Sequence, residues 1–213
     1  MTLLIVAATE NEVAPLKSKY PSASILITGV GISNTIYHLL KHLHTKSYDL
    51  IIQIGIAGRY NEDVEIGEVV AINEDCFADF GVLEDSNFHS IFDMGLMEKN
   101  QTPFNDGVLE NKDVHKYSEG LKIVKGATVN MLTDDITAIK RIINKFSPVV
   151  ETMEGAAFHY ICNQEGLSYL QIRGVSNDVG IRDKSKWKID EAIQSSNDFL
   201  IQYLKNNNVF DLV

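Results

Sequence analysis

The residues of this chain that could do chemistry stand just past apolar, strand-like runs. Two of them lie between Phe146 and Asp178, in FSPVVETMEGAAFHYICNQEGLSYLQIRGVSND. Val149 and Val150 run into Glu151-Thr152-Met153-Glu154, after which Gly155, Ala156 and Ala157 let a helix pack close. Tyr169 to Val175 is β-prone around Arg173 and stops at Ser176-Asn177-Asp178. Glu12 follows the apolar residues 2 to 8 in the same way, and Gly58 and Met131 follow two further runs. Open α/β sheets bind ligands beyond the carboxyl ends of their strands, so Glu12, Gly58, Met131, Glu154 and Asn177 are expected to converge on one site. There a carboxylate can act as a general base or accept from hydroxyl groups, and an amide can donate to an acceptor. Each has a plainer reading too. Thr9-x-x-Glu12 has capping-box spacing, Glu154 suits a helix N-terminus, and Arg173 inside an apolar strand is expected to be a buried ion-pair partner.

The elements that must position these residues alternate along the chain. Residues 2 to 8 read as a central parallel strand, followed by a helix with Thr9 as N-cap. A strand over residues 23–28 meets Gly29-Val30-Gly31, and an amphipathic helix runs from about Ile32 to His44. That G-x-G lacks the third glycine of a dinucleotide fingerprint and no phosphate-binding lysine follows, so it reads as a tight turn. His38 and His42 lie one turn apart, but without the glutamate of H-E-x-x-H they and His44 read as surface histidines. A third strand over residues 49–54 ends in Gly55-Ile56-Ala57-Gly58-Arg59, where the glycines mark a close approach to another element or to a flat ligand.

Residues 66–80 are again strand-like. Residues 81–119 are irregular, and a segment of that length predicts a loop that covers a site or a partner, with Pro103 or Phe104 closing over a neighbouring copy. Leu121 to Val129 returns to a strand, and Asp134 or Asp135 caps a helix to about Asn144. Lys186 to Leu204 is a closing helix with Ile189, Ile193, Phe199 and Leu200 inward, before an apolar end. The alternation predicts a single α/β domain over residues 1–213, with a mixed, largely parallel sheet between helical layers.

Composition narrows the partners. With 29 acidic against 19 basic residues the formal charge is -10, and no dense Lys/Arg patch offsets it, so a nucleic-acid backbone is not expected. A small, weakly charged ligand is. Cys76 and Cys162 lack a C-x-x-C partner and read as reduced thiols of a cytoplasmic protein. MTLLIVAA has no basic flank and reads as a first strand instead of a signal peptide; no apolar run approaches the roughly 20 residues that span a bilayer.

TMEGAAFHYIC and QIRGVSN, with the earlier AATENEV, TGVG and GIAG in the same order, resemble the purine nucleoside phosphorylase and nucleosidase superfamily over nearly the whole chain. The wording ETMEGAAFHY, QIRGVSN and RDKSKW is most similar to the futalosine hydrolases of its hydrolytic branch. The resemblance implies a three-layer α/β/α sandwich, a homodimer, no metal or other cofactor, and a purine nucleoside as substrate. It also implies release of hypoxanthine from futalosine in menaquinone biosynthesis. By motif position Glu12 resembles the base that activates water, while Met153 and Glu154 resemble the pair that grips the ribose. Asn177 stands where adenine-specific enzymes carry an aspartate, and Gly58, Met131 and Leu132 would line the purine, although Met131-Leu132 departs from the Ser-Phe wording of those enzymes.

The chemistry agrees. Breaking an N-glycosidic bond builds positive charge on the sugar and negative charge on the base, which calls for a carboxylate near the ribose and a donor at the purine. A 6-oxopurine offers the adjacent acceptors N7 and O6, which an amide NH2 serves, so Asn177 points to hypoxanthine. If Asp178 faced the purine instead, adenine would fit better. Other readings stay open: a methylthioadenosine/S-adenosylhomocysteine nucleosidase, a phosphorylase using Arg59, or a purine-nucleoside sensor without turnover.

Overall fold

A computed structural model describes residues 2–207. β1 (Leu3–Ala7) is buried along its whole length. A 3-10 turn, Asn11–Val13, leads into α1 (Ala14–Lys19), whose first turn holds Pro15 where a missing N–H costs nothing. β2 (Ile25–Ile27), α2 (Ile32–Leu43), β3 (Leu50–Arg59) and β4 (Val69–Asp75) follow. β5 (Gly81–Glu84) and β6 (Asn87–Ser90) make a separate hairpin, and β7 (Leu109–Glu110) is a short pairing on β4. β8 (Lys122–Thr128) precedes α3 (Ile136–Phe146), whose cap is Asp135, accepting from the Thr137 N–H at 2.8 Å. β9 (Val150–Thr152), α4 (Gly155–Gln164), β10 (Tyr169–Asp178) and α5 (Ile189–Asn206) complete the order. α5 starts later than the Lys186 expected, because Lys184–Lys186 forms its own 3-10 turn capped by Asp183. The apolar end over residues 209–213 lies outside the described residues.

The sheet is mixed and largely parallel, as expected. β1 with β2, β1 with β3, β3 with β10, β4 with β8 and β8 with β9 run parallel. β10 with β4, β3 with β9 and β4 with β7 are antiparallel. The open middle layer of a three-layer sandwich is modified. β3 pairs with β1 over Leu50–Gln53, but at Gly58 and Arg59 the same edge pairs with β9. Because its other edge pairs with β10 throughout, the path β3, β10, β4, β8, β9 returns to β3 as a closed five-stranded ring, with β1 and β2 as a flange. A strand of 10 residues is long enough to change partners along one edge, and sheet twist makes it do so.

Alternate residues of the central strands face opposite helices. Leu3, Ile5, Ile52 and Ile172 pack with Leu16 of α1 and with Leu200, Ile201 and Leu204 of α5. Leu4, Val6, Ile51 and Tyr169 pack with Leu39 of α2 and with Phe158, Ile161 and Cys162 of α4. Each such buried side chain contributes about 2 kcal/mol. Ala57, Val70, Ile72, Val124, Val150 and Val175 form a further core cluster, drawn from the strands of the ring.

Residues 81–119 do not behave as a cover for their own site. None of them lines the main cavity, and Phe104 is buried, its ring 5.1 Å from Phe92 and 5.8 Å from Tyr160. Phe104 is thus committed to an aromatic cluster of its own chain instead of standing free to close over a neighbour. Cys76 and Cys162 are buried free thiols, and among the described residues no helix is long and apolar enough to cross a membrane.

Candidate active site

A cavity of 680 Å³ opens at the carboxyl ends of β1, β3 and β10. Glu12 reaches it from the 3-10 turn that follows β1. One carboxylate oxygen of Glu12 accepts from the Thr9 N–H at 2.9 Å and the Thr9 hydroxyl at 3.0 Å. The other accepts from the Ile56 N–H at 3.3 Å. Gly55 makes this possible: a Cβ there would lie 2.6 Å from Glu12 Oε1 and 2.5 Å from Arg173 Nη1. The first glycine of GIAG therefore admits side chains from the turn after β1 and from the middle of β10, and it does so inside β3, which continues through Arg59 where the apolar pattern predicts an end at Ile54.

Glu154 stands at the N-terminus of α4 without capping it. That task falls to two threonines: Thr152 Oγ1 accepts from the Gly155 N–H at 3.1 Å and Thr128 Oγ1 from the Ala156 N–H at 2.7 Å. Glu154 is left to accept from the Gly31 N–H at 2.9 Å, and its other oxygen is 3.7 Å from Arg173 Nη1. The G-x-G after β2 thus delivers a backbone donor to a carboxylate. Burial pushes the Glu154 carboxyl above its usual range, against the pull of Arg173 and the Gly31 N–H. Arg173 is buried, donates to Gln53 Oε1 at 2.7 Å, and holds one positive charge beside both carboxylates.

Asn177 and Asp178 separate as the pocket requires. A bulge in β10 between Val175 and Asn177 leaves Ser176 unpaired and brings Asn177 opposite Gly58. Asn177 lines the cavity, its Oδ1 accepting from Ser176 Oγ at 2.8 Å and its Nδ2 donating to the Asp178 carbonyl at 3.0 Å. Asp178 is turned away, ion-paired with Arg59 Nε at 2.6 Å. A Cβ on Gly58 would stand 3.2 Å from Asn177 Nδ2, so the second glycine of GIAG makes room for the amide.

Gly58, Leu132, Met153 and Glu154 line the same cavity as Glu12 and Asn177. Met131 does not: it is 72% exposed and outside the lining, because the turn after β8 points Leu132 and Thr133 inward. Two contributors are not read from the sequence. Glu151 lines the cavity and accepts from the Tyr60 hydroxyl at 2.7 Å; burial pushes its carboxyl above the usual range. The first two turns of α5, with Ile189, Asp190 and Ile193, close another side. The inward register of Ile189 and Ile193 was the available signal for α5. His38, His42 and His44 belong to no metal-like group, and among the described residues no three His, Cys, Asp or Glu cluster as metal ligands would.

A family model described as the phosphorylase superfamily matches residues 19–205. The futalosine hydrolase of Thermus thermophilus is 27% identical over 173 residues, which cover 80% of this chain and 76% of that protein. A 5'-methylthioadenosine/S-adenosylhomocysteine nucleosidase of Bacillus cytotoxicus is 24% identical, covering 96% of this chain and 99% of that one. In fold, the native structure of the futalosine hydrolase of Helicobacter pylori superposes with a TM-score of 0.80 over 96% of this chain and 97% of its own, at 13% identity.

Proposed function

This chain belongs to the phosphorylase superfamily, and on that premise we propose that it is an N-glycosyl hydrolase that cleaves futalosine to hypoxanthine and dehypoxanthine futalosine. Water bonds to the anomeric carbon as the bond to the base breaks, and its proton passes to Glu12. Glu154 accepts hydrogen bonds from the ribose hydroxyls while positive charge grows on the ring, and Met153 packs against the sugar. The base leaves with the bonding electron pair, steadied by the Asn177 amide at N7 and O6, over a floor of Gly58 and beside Leu132. The exposed Met131 is left out of this assignment.

The support for this reading is a single cavity lined by Glu12, Glu154 and Asn177, with Asp178 held outside it by Arg59. A phosphorylase would bring a phosphate against Glu12, whose charge opposes it, and Arg59 is engaged by Asp178. The second reading, a methylthioadenosine/S-adenosylhomocysteine nucleosidase, draws on the near-complete overlap with the Bacillus cytotoxicus relative. An amide where adenine calls for an acid weighs against it.

The test is release of free base from futalosine, inosine and methylthioadenosine in phosphate-free buffer. Hypoxanthine from futalosine supports the proposal. Adenine from methylthioadenosine instead, a requirement for phosphate, or binding without turnover would replace it with the nucleosidase, phosphorylase or sensor reading. A second copy of the chain remains the proposed partner, and a mass of one chain in light scattering would remove it.

A further inference from the structure

Besides Glu12 and Glu154, the cavity is lined by Asp190 on its α5 side and by Glu151 on its strand side, neither of which hydrolysis calls for. Gly58 of β3 is in register with Asn177 of β10 on one side and with Glu151 of β9 on the other, so the three form a row across adjacent strands. Strands are spaced about 4.8 Å apart, which puts the amide and carboxylate backbones about 10 Å apart with a glycine between them. All three share one face. A Cβ on Gly58 would meet Asn177 Nδ2 at 3.2 Å, and Tyr60, two residues beyond Gly58 and so on the same side, donates to Glu151 Oε2 at 2.7 Å. Glu151 is 7% exposed. Its Oε1 has no hydrogen-bond partner among the described residues and is not sealed in protein, so it opens to the cavity.

We infer that Glu151 is a specificity-determining residue: its free oxygen accepts the N1–H of a 6-oxopurine lying over Gly58, with N7 and O6 at Asn177. This rests on the nucleosidase reading and extends it to the edge of the base that Asn177 cannot reach. N7, O6 and N1–H follow one another along a single edge of hypoxanthine as acceptor, acceptor, donor. The row Asn177, Gly58, Glu151 offers donor, backbone floor and acceptor in the same order, with Val179 Cγ2 flanking the floor 3.0 Å from where a Cβ on Gly58 would stand. Adenine has a lone pair at N1, which an ionised carboxylate repels. The Tyr60 hydroxyl occupies Oε2 and turns Oε1 toward the base, which makes Tyr60 a positioning residue.

The experiment is calorimetric binding of hypoxanthine, 6-methoxypurine and adenine to the wild-type protein and to Glu151→Gln, with turnover of futalosine measured in parallel. 6-Methoxypurine keeps N7 and O6 as acceptors but replaces N1–H with a lone pair. Wild-type protein is expected to bind hypoxanthine about ten- to a hundredfold more tightly than either other base, the range for one hydrogen bond to a charged group. Glu151→Gln, isosteric and able to donate to N1, is expected to shrink that preference at least tenfold. An unchanged preference in the variant, or wild-type protein that does not separate hypoxanthine from 6-methoxypurine, overturns the role of Glu151 even if futalosine is hydrolysed. If the variant does not fold, wild-type protein that binds 6-methoxypurine as tightly as hypoxanthine still overturns the role of Glu151. Absence of futalosine turnover by wild-type protein counts against the nucleosidase reading alone.

Discussion

Glu12 shows a structural role and a catalytic one in the same side chain. The N–H of Thr9 does bond to Glu12, as capping-box spacing predicts, but the Thr9 hydroxyl donates to that same carboxylate instead of capping the backbone. With Ile56 N–H on the other oxygen, the carboxylate is fixed at the cavity wall by three donors. Glu12→Gln keeps the shape, removes the base and presents an NH2 to one of those donors. Its kcat on futalosine is expected to fall about 10²- to 10⁴-fold with hypoxanthine binding kept within a few-fold, measured by base release and calorimetry. Wild-type turnover in that variant would remove Glu12 as the base. Asn177→Asp is expected to weaken the preference for hypoxanthine over adenine, read from paired binding constants; an unaltered preference would move recognition elsewhere. Glu12, Glu154 and Asn177 are legible in the sequence because each polar residue follows an apolar run. Glu151 also follows one, Val149-Val150, but reads as its last strand residue, since its partner across the sheet, Gly58, is some ninety residues earlier.

Strands β4 and β10 and helix α4 meet around a buried polar chain that explains why Gly155 follows Glu154. A Cβ on Gly155 would collide with Asp75 Oδ2 and Gln171 Nε2. Asp75 accepts from Thr128 Oγ1 at 2.9 Å and the Cys76 N–H at 2.8 Å, and burial pushes its carboxyl up to about 7. Gln171 Oε1 and His159 Nε2 are buried without partners, while His159 Nδ1 lies 3.2 Å from the Leu109 carbonyl. An amide's two ends are assigned from their partners. Gln171 Nε2 lies 3.5 Å from Asp75 Oδ2; turning the amide over puts Oε1 there to face the proton of a neutral Asp75 and aims the NH2 at His159, whose Nδ1–H is left for Leu109. His159 is then neutral, consistent with burial lowering its pKa to about 3. In the unfolded chain an aspartate loses its proton near pH 4, whereas Asp75 in the folded protein keeps it to about 7. The folded state binds the extra proton between those values, so stability falls as pH rises through that window, by on the order of 4 kcal/mol from this group. Asp75→Asn mimics the protonated form, and urea unfolding at pH 5 and pH 8 should show it losing less stability than the wild type across that interval. Equal losses would mean that Asp75 is not protonated. This network is invisible in the sequence, since Asp75, Thr128 and Gln171 sit inside strand-like runs. The continuation of β3 and β10 past their predicted ends, and hence the closed ring, is also hidden, because it depends on pairing between distant segments.

At the scale of the whole molecule, the site is held from the far end of the chain. Asn197 of α5 is fully buried, its Oδ1 accepting from the Leu16 N–H at 3.1 Å. Its Nδ2 donates to the Glu12 carbonyl at 2.8 Å and to the Ile193 carbonyl at 2.7 Å. One amide thus ties the backbone of the proposed base to the helix whose Ile189 and Ile193 line the cavity. Closing a loop of that length costs little more entropy than closing a short one, so a single well-satisfied side chain can carry the connection. Asn197→Ala leaves the Glu12 carbonyl and the Leu16 N–H buried without that partner, at a cost of about 2–4 kcal/mol. Urea unfolding should show that loss, and kcat on futalosine should fall because the turn that carries Glu12 is no longer fixed. Asn197→Asp separates the two ties at a pH where its buried carboxyl is ionised: it then keeps the acceptor for Leu16 but cannot donate to Glu12. If the tie to Glu12 is what positions the base, the aspartate variant shares the fall in kcat while KM changes less. If it turns over futalosine like the wild type, α5 stabilises the fold without positioning Glu12.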